Sequence, residues 1–218
     1  MPTSIRKVLC FGSSSMYGYG DALGWHGWAG RLQTEFHRSN LDQDPYTQPL
    51  AAFYNLSIIG STAERLSRQI PRDIAARSPK TKLMLNILSI GLNDSAVYKS
   101  GGAVVSLDKY TSALEEVALF ATAGGAKAIF IGITTFEEKK CYDFRGKGIS
   151  YLKDRALEFE DAAAAVFGKH LIPSVPLFNA SLESDFDSML SPDGLHPNFD
   201  GHEWIYARVA PTVKELWT

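Results

Sequence analysis

Val8-Leu9-Cys10-Phe11-Gly12-Ser13-Ser14-Ser15-Met16-Tyr17-Gly18-Tyr19-Gly20-Asp21 is the stretch on which the fold of this chain turns. Four apolar residues in a row, with no alternation of apolar and polar positions, predict a strand buried on both faces. The run stops at Gly12 and passes into three serines. Such a loop can offer backbone N–H groups and a helix N-terminus to an anion or an oxyanion. A polar turn whose serines only cap the next element has the same composition, so both readings stand at this point.

Working outward, the same kind of run recurs. The predicted strands are Val8 to Phe11, Ala52 to Ile58, Leu83 to Ile90, Ala128 to Ile133 and Leu171 to Val175. Amphipathic stretches between and after them predict helices at Gly27 to His37, Thr62 to Ala76, Ser106 to Thr122, Tyr151 to Phe167 and Phe199 to Leu216. Strand alternating with helix predicts an α/β fold with a parallel sheet covered on both faces. Five strands in this rhythm suit a flavodoxin-like, three-layer α/β/α sandwich with strand order 2-1-3-4-5. Ligands then belong beyond the C-terminal ends of strands one and three, at Gly12 to Gly20 and Gly91 to Asp94. No linker or repeat divides the chain, and one domain over residues 1–218 is expected. The polar loops Ser39 to Pro49 and Glu137 to Ser150 read as mobile or specificity-giving insertions.

Charge narrows the possible partners. A formal net charge of −2 gives no field of either sign, so neither nucleic acid nor an anionic membrane is an expected partner. The densest basic stretch, Lys139-Lys140 with Arg145 and Lys147, is diluted by Glu137 and Glu138 and reads as a solvated loop. The apolar run after Arg6 and Lys7 is too short for a signal-peptide core or a membrane span, so the mature chain is expected to begin at Met1. Cys10 and Cys141 form neither a disulfide framework nor a metal-type pair, and the cytoplasm is the expected compartment.

Three loops carry candidate chemistry. Gly18, Gly20 and Gly24 lie too far past the first strand for a dinucleotide fingerprint, and the P-loop and Gly-x-Ser-x-Gly patterns are absent. The loop Ser89-Ile90-Gly91-Leu92-Asn93-Asp94 sets an amide beside a carboxylate after the most hydrophobic strand. Asn93 could donate into the crevice, although Asn-Asp is also a common turn former. Near the end comes Ser191-Pro192-Asp193-Gly194-Leu195-His196-Pro197-Asn198. A carboxylate three residues before a histidine on a tight turn can accept from Nδ1–H and leave Nε2 free to take a proton. His26, His37 and His170 lack such a setting. Asp200 and His202 with Asp193 and His196 match no zinc spacing, and no metal or cofactor is expected.

Together with Tyr54-Asn55-Leu56-Ser57-Ile58-Ile59-Gly60-Ser61, these segments resemble in order and spacing the blocks of the GDSL, or SGNH, serine hydrolase family, from Val8 to the final helix. The resemblance implies an esterase, lipase or acylhydrolase on a flavodoxin-like sandwich. It implies Ser14 as nucleophile, His196 as general base and Asp193 as its orienting carboxylate. Its oxyanion hole would be the N–H groups of Ser14 and Gly60 with the Asn93 amide. The motif departs from the family at Ser13, where the family has Asp, and at Ser15, where it usually has Leu. Register against the family, not intrinsic chemistry, selects Ser14 among three serines.

The expected substrate is a small-molecule carboxylic ester, with short acyl or O-acetyl esters first and activity rising with pH through roughly 6 to 7. Tyr17, Tyr19, Trp25 and Trp28 are candidates for lining the site or for packing the core. A catalytically weak binding protein and an acyltransferase using the same acyl-enzyme are the alternatives.

Overall fold

The computed structural model describes residues 5–24, 26–42, 50–77 and 84–217. Trp25, Leu83 at the start of one predicted strand, and residues 43–49 of the predicted 39–49 loop lie outside the described residues. In chain order the elements are β1 (Ile5–Gly12), α1 (Ser14–Tyr17), α2 (Gly27–Leu41), β2 (Leu50–Asn55), α3 (Ala63–Arg77), β3 (Met84–Ser89) and β4 (Val97–Tyr98). They continue with α4 (Leu107–Ala121), β5 (Lys127–Ile131), β6 (Ile149–Ser150), α5 (Lys153–Lys169), β7 (Ser174–Val175), α6 (Phe178–Leu182) and α7 (Phe199–Trp217).

The main sheet runs β2-β1-β3-β5-β7 with every neighbouring pair parallel. Numbered by its own strands, that is the expected order 2-1-3-4-5. Each central strand alternates between two apolar layers, which is why its sequence shows no regular alternation of apolar and polar positions; the polar side chain inside β3, Asn86, is buried and donates to the Ala121 carbonyl at 2.7 Å. Leu9 and Phe11 of β1, Leu88 of β3 and Phe130 of β5 pack with α3, α4 and α5. Val8 and Cys10, Leu85 and Ile87, and Ile129 and Ile131 face the other way, against α2 and α7. The helices supply matching stripes. Tyr110, Ala113, Leu114, Val117, Ala118 and Ala121 of α4 are all buried, at the three- and four-residue spacing of one helical face. Ser106 caps that helix, its hydroxyl accepting from the Lys109 N–H.

Two strands end where local chemistry stops them. The second, expected to reach Ile58, ends at Asn55, whose Oδ1 accepts the Ser57 N–H at 3.2 Å and turns the chain. The fifth, expected from Leu171, is reduced to Ser174–Val175. Leu171 is left-handed at φ 57°, and Pro173 has no N–H to give a ladder.

Neither a ribbon nor a third core was expected. β4 and β6 pair antiparallel in a separate two-stranded ribbon. A third cluster, including Phe136, Cys141, Phe144, Tyr151, Phe178 and Leu195, packs residues of the β5–α5 connection against those of α6 and the Asp193 turn. Cys141, placed by the sequence in a polar loop, is buried there as a free thiol. Among the described residues no helix is long and apolar enough to cross a membrane.

Phe130 is fully buried in the middle of the sheet with its ring 5.0 Å from that of Phe167. Phe130→Ala is expected to lower unfolding free energy by about 3–5 kcal/mol, read as a drop in denaturant midpoint at unchanged slope.

Candidate active site

The site begins where β1 must end. A Cβ on Gly12 would stand 2.7 Å from the Ser89 carbonyl oxygen and 2.9 Å from Met16 Sδ, so only glycine lets β1 pass this close to β3 and turn into α1. Ser14 is the first residue of α1, at a helix start whose first-turn N–H groups have no acceptor within the helix. Ser13 occupies the cap position without a side-chain cap bond.

Ser14 Oγ lies 2.9 Å from His196 Nε2, across 182 residues of chain. His196 Nδ1 lies 2.8 Å from Asp193 Oδ2. The other oxygen, Asp193 Oδ1, accepts the backbone N–H groups of Leu195 at 3.0 Å and His196 at 3.1 Å. Gly194 between them sits at φ 71°, where an added Cβ would meet the Lys140 side chain. The turn is tied down by Ser191 N–H to the His196 carbonyl at 2.7 Å and by Glu137 N–H to the Gly194 carbonyl at 2.8 Å. Of the three adjacent serines, Ser14 is the one whose hydroxyl meets the imidazole.

These contacts set the charges. Burial pushes the Asp193 carboxyl up, but hydrogen bonds from the His196 ring and from the two backbone N–H groups outweigh it and hold the group below its ordinary value. Burial is the largest influence on His196 and lowers it below 6.5, against the pull of Asp193 and with the help of the nearby Arg145 charge. The resting arrangement is therefore a carboxylate, a neutral imidazole donating from Nδ1, and a serine hydroxyl donating to Nε2. It can move the serine proton onto the imidazole as the oxygen attacks an electrophile.

The loops after β1, β2 and β3 are stitched together. Ile58 N–H donates to the Gly12 carbonyl at 3.0 Å and Ser61 N–H to the Ile58 carbonyl at 3.0 Å. Asn93 Nδ2 donates to the Ser61 carbonyl at 2.9 Å and its Oδ1 accepts from Tyr151 Oη at 3.4 Å. One of the two Asn93 amide hydrogens is thus committed to the scaffold. Gly60 is exposed at φ 74° with open space around it. Asp94 works beneath, its Oδ1 accepting the Ala63 N–H at the start of α3, and burial raises it to about 7. A small cleft of about 30 Å³ adjoins Ser14 and His196, with apolar walls that include Ile90, Leu92, Ile133, Leu177 and Leu195.

Of the neighbours, Arg145 escaped the sequence reading, whereas Tyr19 was among the aromatics named there as candidates for lining the site. Arg145, taken there for part of a solvated loop, donates to Asp193 Oδ2 at 2.7 Å. Tyr19 places its ring 4.4 Å from that of His196. His202 is buried, accepts the Trp28 N–H at Nδ1 and donates from Nε2 to the Tyr19 carbonyl. With both nitrogens committed and Asp200 exposed, the pair does not join Asp193 and His196 around a common centre. Burial lowers His202 to about 4. Trp28 is buried and borders the cleft, whereas Tyr17 is exposed. The sequence signal for Tyr19 was an aromatic five residues past Ser14; Arg145 had none.

Residues 10–204 match the model of the GDSL-like Lipase/Acylhydrolase family. Comparison with curated proteins finds no match. Among solved structures, a lipase/acylhydrolase from Enterococcus faecalis is similar at 21% identity and a TM-score of 0.70, over 97% of this chain and 96% of that one. The psychrotrophic esterase EstA from Pseudoalteromonas sp. is similar at 17% identity and TM-score 0.68, over 96% and 97%. An acetyl xylan esterase from Geobacillus stearothermophilus, in a Trp-to-Ile variant, is similar at 16% identity and TM-score 0.67, over 98% and 97%. At these identities the likeness is one of fold.

The two buried imidazoles should separate in an NMR titration. His196 is expected to protonate with a midpoint below 6.5 and His202 only near 4. Because His202 is depressed on folding, its contribution to stability is present above about 6.5 and lost as pH falls toward 4.

Proposed function

Since the chain belongs to the GDSL-like lipase/acylhydrolase family, we propose that it hydrolyses carboxylic esters through an acyl-enzyme on Ser14. The observation that carries this reading is the unbroken relay from Ser14 Oγ to His196 Nε2 at 2.9 Å and from His196 Nδ1 to Asp193 Oδ2 at 2.8 Å.

Ser14 Oγ attacks the ester carbonyl carbon while its proton passes to His196 Nε2. The imidazolium is stabilised by Asp193, and the negative oxygen is met by the Ser14 and Gly60 N–H groups and the free amide hydrogen of Asn93. Collapse breaks the ester C–O bond, and the proton on Nε2 goes to the departing alkoxide. Water then repeats the sequence on the acyl-enzyme, giving the carboxylic acid and free Ser14. The base must be neutral, so burial of His196 shifts the acid limb of activity to lower pH than an ordinary imidazole would give.

The small volume of the cleft and its apolar walls favour a small acyl group, with O-acetylated carbohydrates and simple short esters as the substrate class. The acetyl xylan esterase among the similar structures supports the same choice. A binding protein without catalysis has less support, because it has no use for an aligned serine, imidazole and carboxylate. Ser13 in the family's Asp position leaves that alignment intact.

Ser14→Ala is expected to lower turnover of a nitrophenyl acetate by at least about 10⁴-fold and to abolish fluorophosphonate labelling; a labelled, active Ser14→Ala protein would refute the assignment. Across nitrophenyl esters, kcat/KM should fall from acetyl and butyryl to octanoyl. A maximum at long chains would overturn the short-acyl reading.

A further inference from the structure

Arg145 has no role in the relay just described, yet it touches it. Its Nη2 donates to Asp193 Oδ2 at 2.7 Å, the oxygen that also accepts from His196 Nδ1, and to Tyr19 Oη at 3.0 Å. The guanidinium lies over the Phe144 ring at 5.1 Å and the Tyr19 ring at 5.6 Å, within cation–π range. Tyr19 in turn covers the His196 ring, and His202 holds the Tyr19 carbonyl from α7.

The backbone that presents Arg145 is strained. Asp143 and Arg145, both bearing a Cβ, are left-handed at φ 47° and 54°. Such residues persist only where their surroundings over-determine them. Here Asp143 N–H donates to Ser150 Oγ at 2.9 Å, Asp143 Oδ1 accepts the Gly148 N–H at 2.9 Å, and Oδ2 pairs with Lys99 Nζ at 2.5 Å. Ser150 belongs to β6 and Lys99 follows β4, so the ribbon braces the turn.

We propose that Arg145 is a positioning residue for the Ser14–His196–Asp193 relay, held by the Asp143 turn so that it fixes the Asp193 carboxylate and, through Tyr19, the face of the imidazole. The proposal rests on the esterase reading above. With the Leu195 and His196 N–H groups on Oδ1, the His196 ring and Arg145 on Oδ2 complete a set of donors to both oxygens of the carboxylate, and the fixed positive charge tempers its pull on the imidazolium. The titratable and charged groups facing the pair are Arg145 and Tyr19 on the outer side, His202 from α7, and Glu137, Lys140 and Cys141 beside the Asp193 turn. Arg145 alone of these carries a permanent charge and bonds directly to the relay.

The test compares Arg145→Ala and Arg145→Lys with wild type by kcat, KM and pH profile on a nitrophenyl acetate, and by the NMR midpoint of His196. Arg145→Ala is expected to lower plateau kcat about two- to fivefold with little change in KM, as suits a half-exposed ion pair. It should also move the acid limb and the His196 midpoint to higher pH, because a charge that opposes the imidazolium is gone. Arg145→Lys should restore both midpoints and most of kcat. If Arg145→Ala proves unstable, Lys99→Ala, which unties the turn from outside the relay, should give the same shifts at smaller size. Unchanged kcat and midpoints in a folded Arg145→Ala protein would overturn the proposal, as would a change confined to KM, which marks substrate binding. A wild type that neither turns over esters nor takes a fluorophosphonate label would refute the esterase reading, and the positioning role with it.

Discussion

A strand that is apolar on both faces has nowhere to put chemistry except its ends. β1 illustrates the constraint: Val8 and Cys10 are sealed under α2 and α7, and Leu9 and Phe11 under α3 and α4. The first positions at which a polar side chain can stand are those beyond Gly12, where the layers open. β3 opens in the same way at Ser89, its buried Asn86 being tied to the Ala121 carbonyl, and the two strands lie side by side in register from Lys7 and Met84 to Gly12 and Ser89. Their loops therefore emerge together, at the point where the order of the sheet reverses. The location of the cleft follows from packing, before any question of catalysis arises.

Within that cleft the arrangement is one of graded burial and shared hydrogen bonds. Asp193 keeps its charge because two backbone N–H groups, a ring N–H and a guanidinium all donate to it. His196 stays neutral because desolvation outweighs the carboxylate. Opposed influences of this kind leave a base that is unprotonated at rest and still has a partner for the charge it acquires on taking a proton. The surrounding scaffold is more rigid than the loops' polarity suggests, since Asn55, Asn93, Asp94 and Asp143 each spend side-chain atoms on backbone groups of neighbouring segments.

Legibility in the sequence tracked the range of the interaction. The Asp193–His196 pairing is local, a carboxylate and an imidazole three residues apart on a glycine turn, and the spacing alone displayed it. The Ser14 hydroxyl differs chemically in nothing from its two neighbours, and family register was needed to select it. Strand ends at Asn55 and Leu171 depended on an amide folding back on the chain and on a left-handed residue before Pro173, both invisible to hydrophobic periodicity. Arg145 was hardest. Its stretch is polar and charged like any solvated loop, and only the packing of Phe136, Phe144 and Tyr151 into a third core brings it back over Asp193.

By itself the sequence determined the layers, the parallel sheet and the loops at which chemistry could sit, because these rest on periodicity and on short-range turn residues, while the family was legible through the resemblance of its motif blocks. The tertiary structure alone decided that the Ser14 hydroxyl meets the imidazole at hydrogen-bond distance, that Tyr19 and His202 buttress it, and that Arg145 shares the Asp193 carboxylate. Those outcomes join groups up to 183 residues apart, through side-chain contacts that no local pattern encodes.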